Sequence, residues 1–179
     1  MDLSGIRGDM TERARAIRAR VLQWVGIPCG IGIAPTKTLA KLANYVAKMA
    51  ERKPGSYPAK LAQVCNLAQL PREELDAVLE STDVGEVWGV GRKIAAQLKD
   101  AGTENVLDLA RLDPATVRRR WSVVLERTVR ELQGMPCIRL EEQPPPKKEI
   151  ACTRSFGQPI SDLQALEQAV STFVCMVAQ

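Results

Sequence analysis

Val84-Gly85-Glu86-Val87-Trp88-Gly89-Val90-Gly91-Arg92-Lys93-Ile94-Ala95-Ala96-Gln97-Leu98 decides how the rest of the chain is read. The stretch reads as a helix-hairpin-helix. Val84 and Val87 fall one turn apart on a short first helix. Gly89 and Gly91 flank Val90 in a turn too tight for side chains at both ends, because glycine tolerates backbone angles that other residues do not. Arg92 opens a second helix whose apolar face is Ile94, Ala95 and Leu98. A helix start carries N–H groups without intrahelical partners, and an anion binds well there. Arg92 and Lys93 add positive charge. The pattern points to a sequence-independent grip on a nucleic-acid backbone. An ordinary helix pair with a Gly-rich turn is the competing reading.

Short helices surround the hairpin on both sides. Upstream they are expected at residues 59–67 and 71–80, the latter with Pro71 in its first turn and Glu73 and Glu74 at its positive end. Downstream they are expected at 106–111, after the cap formed by Asp113 and Pro114, and at 122–133 with Val124, Thr128, Val129 and Leu132 inward. Before this all-helical unit, Glu51-Arg52-Lys53-Pro54-Gly55-Ser56-Tyr57-Pro58 reads as a boundary. After it, Glu141-Glu142-Gln143-Pro144-Pro145-Pro146-Lys147-Lys148 reads as an extended, semi-rigid linker.

The flanking parts are smaller. Asp9 caps a first helix, with Glu12 placed to reach back as in a capping box. Ala14, Ile17, Val21 and Trp24 form its expected buried stripe. Residues 28–33 read as a short buried strand, and glycine within a strand marks close approach of another backbone or a ligand. Residues 36–50 form a second helix with Leu39, Leu42, Val46 and Met49 inward. Lys37, Lys41, Asn44 and Lys48 run along one side of it. A strand, a short turn and a helix with lysines in its first turns can serve a triphosphate, although no P-loop signature occurs. A solvated lysine stripe is the alternative. Beyond the linker, residues 150–157 alternate as a strand does. Residues 162–178 form a helix with Leu163, Leu166, Ala169, Val170 and Phe173 as its apolar side.

Composition narrows the chemistry. The 179 residues are 45% hydrophobic and 26% charged with a net charge of +4, which permits a nucleic-acid partner without demanding one. At 4% aromatic content, base-stacking platforms are not expected. The absence of histidine excludes His triads, His bases and His metal ligands. The five cysteines are scattered with no C-x-x-C pair, which argues against zinc and for reduced thiols in a cytoplasm.

Several of these stretches resemble one family. Gly32-Ile33-Ala34-Pro35-Thr36-Lys37-Thr38-Leu39-Ala40-Lys41-Leu42-Ala43-Asn44 resembles the late palm motif of Y-family translesion DNA polymerases. Val87-Trp88-Gly89-Val90-Gly91-Arg92 resembles their thumb hairpin. Val124-Leu125-Glu126-Arg127-Thr128-Val129-Arg130-Glu131-Leu132, with Arg154-Ser155-Phe156-Gly157, resembles the UmuC subgroup. The resemblance runs in order from Asp2 to about Ala178.

It implies a mostly α fold with minor β, in four parts. These are a C-terminal part of the palm at 1–55, a helical thumb at 56–140, the linker at 141–148 and the start of an α+β little finger at 149–179. It implies Lys41, assisted by Lys37, as the residues meeting the triphosphate of an incoming dNTP. It implies Trp88, Gly89, Val90, Gly91, Arg92, Lys93, Arg154 and Ser155 as DNA-binding residues. The family's palm carries metal-binding carboxylates near the chain start and in an Asp-Glu pair just before the segment matching residues 2–5, and neither set is present here. Asp9 and Glu12 read as caps, and Asp2 alone cannot replace the set. The expectation is a fragment of an error-prone polymerase of the SOS response. It has no catalytic or metal-binding residues of its own, and Mg²⁺ belongs to the full-length parent. Having lost its sheet neighbours, the strand at 28–33 is expected to leave the palm segment poorly stable. Partners implied are damaged or primed duplex DNA, a sliding clamp and UmuD-like subunits, in a bacterial cytoplasm at the nucleoid. A free-standing helix-hairpin-helix DNA-binding module and a pure protein-interaction fragment are the rival readings.

Overall fold

The computed structural model describes Leu3, residues 5–138, Ala151, Thr153 and residues 155–177. It divides into two units, Met1–Leu140 and Glu141–Gln179. The first unit contains α1 (Met10–Val25), β1 (Ile31–Ile33), α2 (Lys37–Arg52), β2 (Val64–Asn66), α3 (Arg72–Glu80), α4 (Arg92–Asp100), α5 (Val106–Arg111), α6 (Pro114–Arg120) and α7 (Val123–Leu132). Single 3₁₀ turns at Ala59–Leu61, Leu67–Gln69 and Val84–Glu86 link them. The second unit contains α8 (Leu163–Val177). The class is the expected one, mostly α with minor β. Among the described residues, no helix is long and apolar enough to cross a membrane.

The strand at 28–33 does have a partner. β1 pairs in parallel with β2, in the register Ile31 to Val64, Gly32 to Cys65 and Ile33 to Asn66. This overturns the expected helix at 59–67. The break comes at Gln63, which adopts a positive φ of 70°. Its amide donates to the Ala47 carbonyl of α2, and its own carbonyl accepts from Ile31. Val64, Cys65 and Asn66 are all buried. A short apolar run of this kind reads equally well as helix or strand from periodicity alone.

β1 lies directly on α2. A Cβ at Gly32 would run into the α2 backbone at Ala40, Ala43 and Asn44, so the other backbone that this strand glycine accommodates is that helix. On its inner side α2 buries Leu39, Leu42, Ala43, Val46, Ala47 and Ala50. These belong to one apolar core that continues through Val84, Val87, Val90, Leu98, Val106, Leu109, Val117, Leu125, Val129 and Leu132. The segment expected to be poorly stable thus shares its core with the helices around the hairpin.

Two stripes differ from expectation. In α1 only Ala14 is buried, while Ile17 is 46% and Trp24 72% exposed. The helix packs by a different edge, where Thr11 meets Gln69 and Asn66, and Arg18 donates to the Cys29 carbonyl and to Glu51. In α7, Leu125 is buried and Val124 is exposed. The Ser122 cap sets the helix phase so that Leu125, Thr128, Val129 and Leu132 share the inner face.

In the second unit, Asp162 accepts from Ala165 at the start of α8, and Leu163, Leu166 and Val170 are exposed. Of the expected strand at 150–157, Ala151, Thr153 and residues 155–157 carry no strand, while Ile150, Cys152 and Arg154 lie outside the described residues. The linker and Asp2 lie outside them as well.

Candidate nucleic-acid interface

The site is built from the hairpin, the start of α2 and the end of α7. Val84, Val87 and Val90 are buried and pin the hairpin to the core. Asp83 accepts from the Gly85 amide at 2.8 Å and pairs with Lys99 at 2.6 Å, which ties the turn to α4. The Lys99 ammonium, then the Gly85 amide, hold the Asp83 carboxyl below its ordinary value. The Val90 amide closes the turn on the Val87 carbonyl.

The two hairpin glycines have different roles. Gly89 has φ +92°, a left-handed conformation that a side chain strains. Gly91 has φ −79° and ψ 166°, open to any residue, and a Cβ there would meet nothing within 4 Å. The expectation that both ends of the turn exclude side chains therefore holds at Gly89 only. Gly91 is instead the N-cap of α4.

That N-cap position is bare. Gly91 offers no side-chain hydrogen bond to the helix, and the first turn of α4 contains no acid. Arg92 and Lys93 stand there, both exposed. In the same unit Asp9, Thr36, Asn105, Asp113 and Ser122 cap their helices with side-chain acceptors. The remaining helix, α3, carries Glu73 and Glu74 in its first turn. Bases at the positive end of a helix dipole are unfavourable unless an anion joins them.

The start of α2 is closed. Thr36 accepts from the Leu39 amide and donates to the Glu131 carbonyl at 2.9 Å. One oxygen of the Glu131 carboxylate accepts from the Thr38 amide at 2.8 Å and from Thr38 Oγ1 at 2.7 Å. The other accepts from the amides of Cys137 at 3.1 Å and Ile138 at 2.7 Å. Glu131 is 0% exposed. Burial alone pushes its carboxyl up, but the hydrogen bonds from Thr38, Ile138 and Cys137 outweigh burial and hold it below the ordinary 4.5.

Lys37 and Lys41 both reach the hairpin. Their Nζ atoms lie 5.4 and 4.7 Å from the Trp88 ring centroid. The structure thus brings together Lys37, Lys41 and Trp88, next to Gly89, Val90, Gly91, Arg92 and Lys93. Val90 is buried, and its amide is held inside the turn by the Val87 carbonyl. Ser155 is exposed in the second unit, and Arg154 lies outside the described residues. Sequence reasoning missed Thr36, Thr38 and Glu131. A carboxylate on the apolar face of α7, together with two threonines around Lys37, was the available signal.

The geometry is that of a helix-hairpin-helix unit with one open, basic helix start. The profile of the impB/mucB/samB family matches residues 1–45, and that of the IMS family HHH motif matches residues 72–103. Protein UmuC of Salmonella typhimurium is 42% identical over 180 residues, which cover 99% of this chain and 40% of the relative. Protein MucB of Escherichia coli is 41% identical over 181 residues, 100% of this chain and 41% of the relative. DNA polymerase IV 1 of Halalkalibacterium halodurans is 30% identical over 112 residues, 63% of this chain and 24% of the relative. The chain belongs to the UmuC type of the Y family. It spans about 40% of the length of the UmuC and MucB proteins it matches.

Proposed function

We propose that the chain is the DNA-gripping part of an error-prone translesion DNA polymerase of SOS-type repair. The hairpin holds the backbone of damaged or primed duplex DNA without sequence preference. The start of α2 contributes Lys41, with Lys37, to the triphosphate site for the incoming dNTP. The observation that carries the reading is the bare, basic start of α4. A DNA phosphate there supplies what protein side chains supply at the other helix starts of the unit, a hydrogen-bond acceptor or a negative charge. A free-standing helix-hairpin-helix module explains the hairpin equally well. The family match over residues 1–45, outside the hairpin, favours the polymerase reading.

In this reading residues 1–55 belong to the palm, 56–140 to the thumb, 141–148 to a linker and 149–179 to the little finger, where Arg154 and Ser155 add DNA contacts. Mg²⁺ serves the full-length parent, where a metal pair orients and neutralises the attacking and leaving oxygens. Among the described residues, no group of three or more His, Cys, Asp or Glu gathers to hold a metal. The described residues do not offer the carboxylate set of a metal pair, and in this reading catalysis is assigned to the parent. The proposal includes a sliding clamp and UmuD-like subunits as partners and a nucleoid location in a bacterial cytoplasm, and similarity to UmuC and MucB is what supports it.

The test is a titration of a labelled primed duplex over a salt series. Each phosphate neutralised contributes about −0.9 to the slope of log K against log salt. The expected result is a steep slope that Arg92→Ala reduces by about one phosphate. A binding constant indifferent to salt, or a slope unchanged by Arg92→Ala, rejects the grip.

A further inference from the structure

Two like charges at the start of α2 are held on one aromatic ring. Lys37 and Lys41 are one turn apart, and both ammonium groups lie over Trp88. Like charges at this spacing repel each other, and a long side chain loses rotamer freedom when it is fixed. The face of an indole offsets both effects, by about two- to five-fold in an equilibrium constant per exposed ammonium. The ring itself is well anchored, since Val87 and Val90 on either side are only 2% and 7% exposed. Its outer part is open, with Trp88 43% exposed. An ammonium resting on a ring keeps its remaining N–H donors for a ligand. Among the described residues, neither lysine has a carboxylate partner. The α2 backbone adds little, because Glu131 already holds the Thr38 amide.

We infer that Trp88 is a positioning residue, which holds Lys37 and Lys41 together as a two-ammonium cradle for an oligophosphate. The inference rests on the reading of those lysines as the triphosphate residues and assigns Trp88 to them rather than to DNA. It also joins the hairpin to the nucleotide side, since one residue of the hairpin sets the place of two on α2.

Calorimetric titration of the full chain with inorganic tripolyphosphate, at low salt and without divalent metal, tests this. Wild type is expected to bind saturably, and Lys41→Ala to bind far more weakly. Trp88→Leu should weaken binding about five-fold, which is about 1 kcal/mol by RT ln 5. Trp88→Phe should recover most of that loss. Adding Trp88→Leu to Lys41→Ala should cost less than Trp88→Leu does alone, because only Lys37 is then left on the ring. A role in folding alone predicts neither the phenylalanine rescue nor this non-additivity. A second readout uses the Trp24→Phe, Trp121→Phe background, where Trp88 is the sole indole. Its emission should change saturably with tripolyphosphate, and should not when Lys41→Ala is added. Trp88→Leu binding as tightly as wild type, or an unchanging emission, overturns the positioning role while a weak Lys41→Ala leaves the lysine reading intact. Lys41→Ala binding like wild type overturns both.

Discussion

Helices α2 and α4 begin alike and end up opposite. Each opens with basic residues after a small residue, Thr36 before Lys37 and Gly91 before Arg92 and Lys93. At α2 the end is sealed, because Thr36 and the buried Glu131 carboxylate take the first-turn donors. At α4 nothing seals it. Lysines or arginines near a helix start therefore do not define an anion site by themselves. What decides is whether the amides already have an acceptor. In the proposed reading a phosphate at α4 would meet backbone and side chains together, whereas one at α2 would meet the lysine side chains on Trp88.

Unsealing α2 has the largest expected effect. Glu131→Ala strands the buried Thr38 donors and the half-buried Cys137 and Ile138 amides. Leaving buried polar groups unpaired in this way costs about 3 kcal/mol. For a unit of this size that corresponds to a fall of about 10 °C in the melting midpoint. A fall of only a degree or two, measured by calorimetry or circular dichroism, would show that the carboxylate holds nothing in place.

The pH dependence sharpens the same contrast. The folded-state pKa of Glu131 lies below its ordinary 4.5. Its contribution is therefore fully present above the unfolded pKa and is lost as pH falls through the folded one. Wild type should be more stable than Glu131→Gln at neutral pH. The gap between them should narrow as pH falls from neutral to below the ordinary 4.5, because the glutamine has no proton to gain. Melting curves across that range give the answer, and a constant gap contradicts the assignment. The first turn of α4 carries no carboxylate of its own to compare with Glu131.

The hairpin was legible because its information is local. A pair of glycines around a valine, two bases and an apolar stripe fall within one continuous stretch, and the caps Asp9 and Asp113 could be read in the same way. The sealing of α2 was not legible, because Glu131 reaches Thr38 from a distant part of the chain. Strand β2 was hidden by its length of three residues and by the turn at Gln63, whose positive φ no local pattern announces. The outward face of α1 was misread for a related reason. Its stripe is amphipathic in sequence, but Arg18 and Thr11 choose a neighbouring edge for contact. Lys37 and Lys41 were placed on one side of their helix from spacing alone, whereas their meeting with Trp88 depends on how α2 and the hairpin pack.

The central claim is that α4 binds DNA because its end is open, and capping that end tests it most directly. Gly91 has the extended conformation of an N-cap, with free space for a side chain. Gly91→Asn supplies a neutral cap and Gly91→Asp a charged one, either of which should leave stability equal or a few tenths of a kcal/mol higher. The measurement is duplex DNA affinity at fixed salt, beside the melting midpoint. The account predicts a several-fold loss of affinity for Gly91→Asn and about ten-fold for Gly91→Asp, about 1.4 kcal/mol, with no loss of stability. Wild-type affinity in both variants would contradict it.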